Sequence, residues 1–243
     1  MCQLKSAIVL KDRVYLPDHD SHDKMLAELG IKDTKKNAET KFVRVELVPI
    51  NGDIFAPVDN WRLNVDQDIR PDWFFEEVEK PNIIEAVKAW AKNHIFDGVD
   101  NLELKNSGTY YLRNCKNATL WGNSTATLWE NSTATLRENS TATLWENSTA
   151  TLWGNSTATL RENSTATLRE NSTATLWGNS TATLCENSTA TLRGNSTGRI
   201  PDNMWGGKRE SYVLMENSTL KDCTTNTIYQ AGIWKYVEVI ENV

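Results

Sequence analysis

An eight-residue repeat occupies the second half of the chain and constrains its fold more than any other feature. From Ala118 to Thr197 the sequence reads ATLWGNST, ATLWENST, ATLRENST and close variants, with a leucine at every eighth position. The same phase extends back to Leu104 and forward to Ile200, where the rest of the motif has decayed. Degenerate ends are typical of the capping repeats of a solenoid, so we expect the array to run from about residue 102 to residue 200.

Each octad combines strict alternation with a corner. The alternation places Ser, Ala and Leu on one face and Thr, Thr and Trp or Arg on the other. This pattern predicts a strand of about six residues. The pair Glu-Asn or Gly-Asn predicts a two-residue corner, since Asn and Gly tolerate positive φ. In an antiparallel meander Leu128 would oppose Thr133, and the leucines would alternate between faces. We therefore predict a mainly β fold: a parallel β-solenoid with 16-residue coils, two octapeptides per coil and two opposed sheets, about 30 Å long over six coils.

Residues sixteen apart stack in such a solenoid, so each sheet carries an outward column of indole and guanidinium groups. One column contains Trp121, Arg137, Trp153, Arg169 and Cys185, and the other contains Trp129, Trp145, Arg161, Trp177 and Arg193. This alternation suits cation–π stacking, worth about 0.5–1 kcal/mol per exposed contact. Either the columns only strengthen strand pairing, or they form an apolar strip for self-association or a flat ligand. We expect Cys185 to be exposed because it occupies an outward position.

Outward threonines form two rows beside each column. The candidate binding residues in these rows are Thr125, Thr127, Thr133, Thr135, Thr141 and Thr143. The eight-residue period and the Thr-Ala-Thr rows resemble the 16-residue coils of bacterial ice-nucleation proteins, and the resemblance implies ordering of water into an ice-like lattice. The chain departs from that family in lacking its tyrosine-bearing glycine motif, in its short array and in the Trp or Arg beside the rows. β-Propensity alone is the alternative explanation for outward threonine.

Every octad also contains Asn-Ser-Thr, formally an acceptor for N-glycosylation. The start of the chain lacks the long apolar region of a secretory signal, so we interpret this motif as a turn. In that interpretation the Asn side chains bond between successive corners.

Residues 1–100 have no period and predict a small α+β head that closes the N-terminal end of the solenoid. Residues 42–48 alternate as a strand, Ser21 is placed to cap a short helix ending at Gly30, and residues 82–95 have helical spacing. Residues 101–200 form the solenoid. Residues 201–243 predict a C-terminal cap, because an uncovered sheet edge promotes aggregation.

The head contains the candidate catalytic residues. Cys2 would become the N-terminal residue if Met1 were removed, and an N-terminal cysteine can act as nucleophile and base together, as in amidohydrolases. His22, Arg44 and Asp66 would add an imidazole, a guanidinium and a carboxylate for acyl or amide chemistry. No spacing here is diagnostic, and a cysteine at position 2 is often only a small buried apolar residue. The sequence around His22 lacks the spacing of strong metal motifs, so we expect no metal and no cofactor.

The head motifs MC, DSH, FVRVEL, VDQD and PDW, followed by tandem octads, resemble an uncharacterised family of phage and bacterial-genome proteins. The resemblance spans most of the chain. It implies a head followed by a solenoid and brings no activity with it.

Composition narrows the classes of partner. The net charge of −6 argues against a nucleic-acid partner, and no apolar run approaches the roughly 20 residues of a membrane span. Mimicry of DNA by the corner glutamates is a weaker hypothesis, since arginines interrupt their charge. Four widely spaced cysteines fit a reducing compartment, and we expect a cytoplasmic protein.

Near-identical octads supply regular surfaces and no unique residues for catalysis. We therefore expect a non-enzymatic structural or interaction protein, with a homo-oligomer formed through a solenoid face as one outcome. Ice binding and an amidohydrolase-like head using Cys2 are the alternatives.

Overall fold

The computed structural model describes residues 5–105, 108–201, 211–231 and 237–241. The chain divides into two compact units, Met1–Ile95 and Phe96–Val243. The first unit is the head, and the second contains the octads and the C-terminal segment.

The head is built on a four-stranded antiparallel sheet with the strand order β2-β1-β3-β4. Its strands are β1 (Lys5–Leu10), β2 (Val14–Tyr15), β3 (Phe42–Val48) and β4 (Arg62–Val65). Its helices are α1 (His22–Glu28), α2 (Lys35–Ala38) and α3 (Glu76–His94), with 3₁₀ turns at Ile50–Gly52 and Val58–Asn60. The prediction of a small α+β head is confirmed.

Local sequence signals account for most of these elements. β3 covers the predicted residues because its alternation places Val43, Val45 and Leu47 in the core. The Ser21 hydroxyl caps α1 by accepting a hydrogen bond from the Lys24 N–H, and Gly30 follows the helix with a φ of 66°. α3 begins six residues before the predicted start, because three acidic residues in its first turn favour the positive end of the helix dipole.

The second unit is a parallel β-solenoid with two sheets, as predicted. The eight-stranded sheet contains β5 (Ile95–Asp97), β7 (Thr109–Arg113), β9 (Thr125–Trp129), β11 (Thr141–Leu144), β13 (Thr157–Leu160), β15 (Thr173–Leu176), β17 (Thr189–Leu192) and β19 (Ser211–Leu214). The ten-stranded sheet contains β6 (Glu103–Leu104), β8 (Ala118–Leu120), β10 (Thr133–Leu136), β12 (Thr149–Leu152), β14 (Thr165–Leu168), β16 (Thr181–Leu184), β18 (Thr197–Ile200), β20 (Thr219–Asp222), β21 (Thr227–Ala231) and β22 (Val237–Glu241).

Neighbouring octad strands pair in parallel with like residues side by side. In β10 and β12, Thr133 pairs with Thr149 and Leu136 with Leu152, sixteen residues apart. Every leucine at the repeat position from Leu112 to Leu192 is fully buried. Two octads therefore make one coil, with leucine enclosed between the sheets and threonine facing outward.

The corners are longer than the sequence predicted. Strands within the regular octads cover mostly four residues, Thr-Ala-Thr-Leu, and the four that follow form a turn closed by hydrogen bonds such as Ser132 N–H to the Trp129 carbonyl at 3.2 Å. A two-residue loop joins neighbouring strands of one sheet, whereas this corner must cross to a second sheet about 10 Å away. Positive φ falls mostly on the Glu or Gly position, with Glu138 at 62° and Gly154 at 68°.

The C-terminal segment ends the parallel order. β18 and β20 still pair in parallel, with Thr197 beside Thr219. β21 then pairs antiparallel with β20, and β22 antiparallel with β21. Parts of the predicted cap, residues 202–210 and 232–236, lie outside the described residues.

Candidate functional site

The two outward columns form the predicted cation–π stacks. In the ten-stranded sheet the Arg137 guanidinium lies 5.0 Å from the ring centre of Trp121 and 6.0 Å from that of Trp153. Arg169 lies 4.9 Å from Trp153 on its other side. These distances fall within the range of favourable cation–π contacts.

The column of the eight-stranded sheet has the same geometry. Arg161 lies 4.8 Å from the ring centre of Trp145 and 5.9 Å from that of Trp177, and Arg193 lies 4.8 Å from Trp177. Trp177 in this column, like Trp153 in the other, is therefore sandwiched between two guanidinium groups. The guanidinium groups occupy the ring faces on which a base or sugar ring would otherwise stack.

The threonine rows differ in exposure. Thr125 and Thr141, the first threonines of their strands, are exposed, whereas Thr127 and Thr143 beside the Trp/Arg column are half-buried. On the ten-stranded sheet Thr133 and Thr135 are both half-buried. Successive threonines of a row belong to strands about 4.8 Å apart, which sets a regular spacing for their hydroxyl and methyl groups.

One contact shows how close neighbouring hydroxyls come in a row. The hydroxyl oxygens of Thr165 and Thr181 lie 3.1 Å apart, within hydrogen-bond distance. The rows thus offer a flat strip of alternating donors, acceptors and methyl groups without charge.

The corners are stabilised by Asn and Ser side chains. The Asn179 amide donates to Asn163 at 3.5 Å, and the Asn195 amide donates to Asn179 at 3.5 Å. The buried Ser156 hydroxyl donates to the Trp153 carbonyl at 2.7 Å. The interpretation of Asn-Ser-Thr as a turn with bonded asparagines is confirmed.

Cys185 is buried, with only 6% of its surface exposed, so the prediction of an exposed thiol is wrong. Its side chain is much shorter than the Trp or Arg found at the other positions of its column. The thiol therefore stays close to the backbone and does not reach outward as the longer side chains of the column do.

The head brings three of the four candidate catalytic residues into one open, polar pocket of about 470 Å³. The residues lining it are Ser21, His22, Asp23, Asp33, Arg44 and Asp66. His22 begins α1, Arg44 lies on β3 and Asp66 follows β4. The His22 Nδ1 atom lies 3.3 Å from the Asp66 carboxylate, and the Arg44 guanidinium pairs with Asp33. The fourth candidate, Cys2, lies outside the described residues.

The hydrogen bonds of His22 limit what this pocket can do chemically. Its Nε2 atom lies 3.1 Å from the Val45 carbonyl oxygen, while Nδ1 faces Asp66. Both ring nitrogens are therefore held by acceptors of the head itself. A histidine base needs one nitrogen turned toward the nucleophile, and this geometry leaves none. As described, the cluster ties α1 to β3 and to the segment after β4.

Sequence reasoning missed a buried cation in the head. Lys5 is 1% exposed, and its ammonium lies 2.9 Å from the Asp20 carboxylate and 2.6 Å from the Pro17 carbonyl. The ammonium also lies 4.9 Å from the ring centre of Trp90. The signal that could have indicated this pair is a lysine at the start of the apolar strand SAIVL, with a loop rich in Asp nearby in sequence. Its burial makes it a structural contact that a ligand cannot reach.

His19 belongs to a second, exposed cluster. It lies 3.0 Å from the Glu28 carboxylate, which also accepts a hydrogen bond from the Tyr15 hydroxyl at 2.8 Å. The hydrogen bond from Tyr15, followed by that from His19, lowers the pKa of Glu28. The same bond to Glu28 raises the pKa of Tyr15.

Over the described ranges, no group of three or more His, Cys, Asp or Glu side chains is placed to hold a metal ion. None of the helices in those ranges combines the length and the apolar character that crossing a bilayer requires. Comparisons with protein-family models, with curated proteins and with solved structures found no match to this chain.

Proposed function

We propose that this chain is a non-enzymatic interaction protein whose solenoid presents regular Thr and Trp/Arg columns, and that it associates with further copies of itself. The observation that carries the proposal is the register: each regular coil places its Thr-Ala-Thr-Leu residues beside the same residues of the coil before it, about 4.8 Å away. A surface with a period fits a partner with the same period. A second copy of the chain has that period, whereas a globular partner would contact a few octads and leave the others unused.

The chemistry of the two units supports a binding role over a catalytic one. A catalytic site brings unlike residues to one place, and the columns instead repeat like residues. In the head, the candidate base His22 has both nitrogens engaged by Asp66 and Val45. We also infer a cytoplasmic location, in keeping with the use of Asn-Ser-Thr as a turn motif.

The oligomeric state tests the proposal. Sedimentation velocity over a wide range of concentrations should show association of the full chain. Association should weaken in the variant Trp129→Thr, Trp145→Thr, Trp177→Thr. The pair Trp121→Thr, Trp153→Thr on the other sheet is the matched control that identifies the column in contact. A chain that stays monomeric at every concentration would contradict the proposal.

Ice binding is the second candidate function, favoured by the uncharged threonine rows and the short Thr165–Thr181 contact. Rows of hydroxyl and methyl groups at a fixed spacing can hold water in an ordered layer. This role also needs a periodic surface, so the register supports it equally.

An ice-recrystallisation assay separates this candidate from self-association. We expect the triple variant Thr127→Lys, Thr143→Lys, Thr159→Lys to lose inhibition on the eight-stranded face. Thr135→Lys, Thr151→Lys, Thr167→Lys makes the same change on the ten-stranded face and shows which face acts. Inhibition that neither variant diminishes, or that the parent chain lacks, excludes ice binding.

A further inference from the structure

We infer that the C-terminal end of the solenoid is a docking surface on which a second copy of the chain continues both sheets. The inference goes beyond the self-association proposed above, because it places a contact at the end of the solenoid and not on the Trp/Arg columns. The contact follows from the way in which the two sheets end.

The two sheets end at unequal heights. β19 and β20 form the last parallel coil, and β19 is the last strand of the eight-stranded sheet. The ten-stranded sheet continues for two more strands, because β21 pairs antiparallel with β20 and β22 pairs antiparallel with β21. Two strands at the usual spacing make a step of about 10 Å at this end.

The backbone of β19 has a free edge among the described residues. The Met215 N–H donates back to the Leu192 carbonyl, at the end of β17, at 3.0 Å. Leu214 is the partner of Leu192 in β19, so its carbonyl points away from β17 in the same direction. Within the described ranges, no strand of the sheet lies on that side of β19. Such an edge can accept a further strand through backbone hydrogen bonds.

The apolar core is also open on this side. Leu192 in β17 is fully buried, whereas Tyr212 and Leu214 in β19 pack against the core and stay half-buried. On the other sheet, Leu220 in β20 is fully buried, and β21 occupies the next strand position. One half of the end therefore lacks the covering strand that the other half has.

A second copy supplies this strand when a two-fold axis relates the two copies. The axis runs parallel to the strands, midway between the two sheets. Rotation by 180° about it brings the ten-stranded sheet of one copy into line with the eight-stranded sheet of the other. β22 of each copy then lies beside β19 of the other. The two steps interlock, and both sheets continue through the dimer.

The strand directions suit this pairing. The two sheets of a solenoid run in opposite directions, because the chain reverses at every corner. β22 runs in the same direction as β20, since two antiparallel pairings separate them, and rotation about an axis along the strands leaves that direction unchanged. β22 of the second copy is therefore antiparallel to β19, and antiparallel pairing is the more stable kind.

The chain itself carries both elements that the contact needs. The free edge of β19 and the projecting strand β22 lie at the same end of one chain, at complementary heights. A second copy thus satisfies two edges at once, whereas an unrelated partner with one strand would satisfy only one. For this reason we assign the surface to a second copy.

Sedimentation velocity and hydrogen exchange of the full chain test the docking surface. Above the dissociation constant, amide exchange should slow in β19 and β22 relative to a dilute sample. Leu214→Glu places a carboxylate in the open end of the core and should raise the dissociation constant at least about tenfold, because docking would bury the charge. The matched control Thr175→Glu places the same charge outward on β15, two strands from the edge, and should dimerise like the parent chain.

A competition experiment leaves β19 unchanged. A synthetic peptide with the sequence of residues 237–243 reproduces β22 and should dissociate the parent dimer by occupying the edge of β19. A peptide of the same composition in scrambled order is its control and should have no effect. Deletion of residues 237–243 from the chain should prevent dimerisation at this end.

The outcomes separate this inference from the proposed function. If the Trp129→Thr, Trp145→Thr, Trp177→Thr variant abolishes association and Leu214→Glu has no effect, the columns are in contact and the docking end is wrong. The reverse result supports the docking end and contradicts contact through the columns. A parent chain that is monomeric at every concentration overturns both. Unchanged exchange in β19 and β22 on association, or equal weakening by Thr175→Glu, also overturns the docking end.

Discussion

The head and the solenoid build their cores in different ways. Each coil of the solenoid repeats the contacts of its neighbours, with leucine on leucine and alanine on alanine. The contacts of the head each occur once, as in the ion pair between buried Lys5 and Asp20 or the His22–Asp66 contact. A repeat distributes stability over many equal interfaces, whereas the head depends on single contacts. The same difference makes the solenoid a periodic surface and leaves the head the place for unique groups.

The largest expected effect is on the shared solenoid core. Leu144→Ala removes a fully buried side chain that stacks between Leu128 and Leu160, and we expect a loss of about 3 kcal/mol in the free energy of unfolding. Native-state hydrogen exchange should show the loss most strongly in the coils next to residue 144. A loss below about 1 kcal/mol, or one spread evenly over the chain, would contradict nearest-neighbour packing.

The free energy of unfolding should fall by a similar amount when one carboxylate of the head is removed. Asp20→Ala leaves the ammonium of Lys5 buried without its counter-ion, and we expect a cost of about 3 kcal/mol, since Asp20 itself is partly exposed. The control Lys5→Met removes the charge together with its need for a partner and should cost less. Chemical denaturation of both variants measures the two losses in the free energy of unfolding and shows which is larger. Equal costs would show that packing around Lys5, rather than the ion pair, stabilises this region.

The leucine core of the solenoid was predicted from the sequence, whereas the Lys5–Asp20 pair of the head was not. The eight-residue period was sufficient to predict the coil length, the enclosed leucines and the Arg–Trp stacks, because a repeat fixes every equivalent position at once. The alternation of residues 42–48 likewise predicted β3 correctly.

The features that the sequence did not predict depend on tertiary structure. The corner length depends on the separation between two sheets, which the pattern of one octad does not contain. Burial of Cys185 depends on its neighbours in space, and the Lys5–Asp20 pair joins residues fifteen apart whose approach is set by the folded head. In the candidate site, residue types suggested a grouping of His22, Arg44 and Asp66. The engagement of both His22 nitrogens required coordinates.

A smaller effect distinguishes equivalent corner serines. Ser156→Ala removes a hydroxyl that donates to the Trp153 carbonyl, and we expect a loss of about 1 kcal/mol. Ser148 is the matched control, because its buried hydroxyl has no hydrogen-bond partner among the described residues, and Ser148→Ala should be close to neutral. Urea denaturation of the two variants measures the difference. Equal losses in the free energy of unfolding would show that the hydroxyls of Ser156 and Ser148 make equivalent hydrogen bonds.

The smallest expected effect on stability comes from Tyr212 in β19, after the last regular octad. Burial, with a smaller contribution from Tyr229, raises the pKa of Tyr212 to about 12 from 10.0. The neutral phenol is favoured in the folded chain, so its contribution to stability is complete below pH 10 and is lost as the pH rises to about 12. We expect this contribution to be under about 1 kcal/mol, since the side chain is only half-buried. Phenolate absorbance compared between the parent chain and Tyr212→Phe should show that one late-ionising tyrosine is lost in the variant. Ionisation of all tyrosines near pH 10 would contradict burial at this site.

The central claim is that octads sixteen residues apart lie side by side in parallel, and a cysteine cross-link tests it most directly. In a chain whose native cysteines are replaced by alanine, Thr135→Cys and Thr151→Cys occupy paired positions on neighbouring strands. Their Cα atoms should lie about 4.8 Å apart, within the range that a disulfide spans. We predict that this pair oxidises readily, whereas Thr135→Cys with Ala142→Cys does not. Preferential cross-linking of 135 to 142, the partners in an antiparallel meander, would contradict the solenoid and every surface inferred from it.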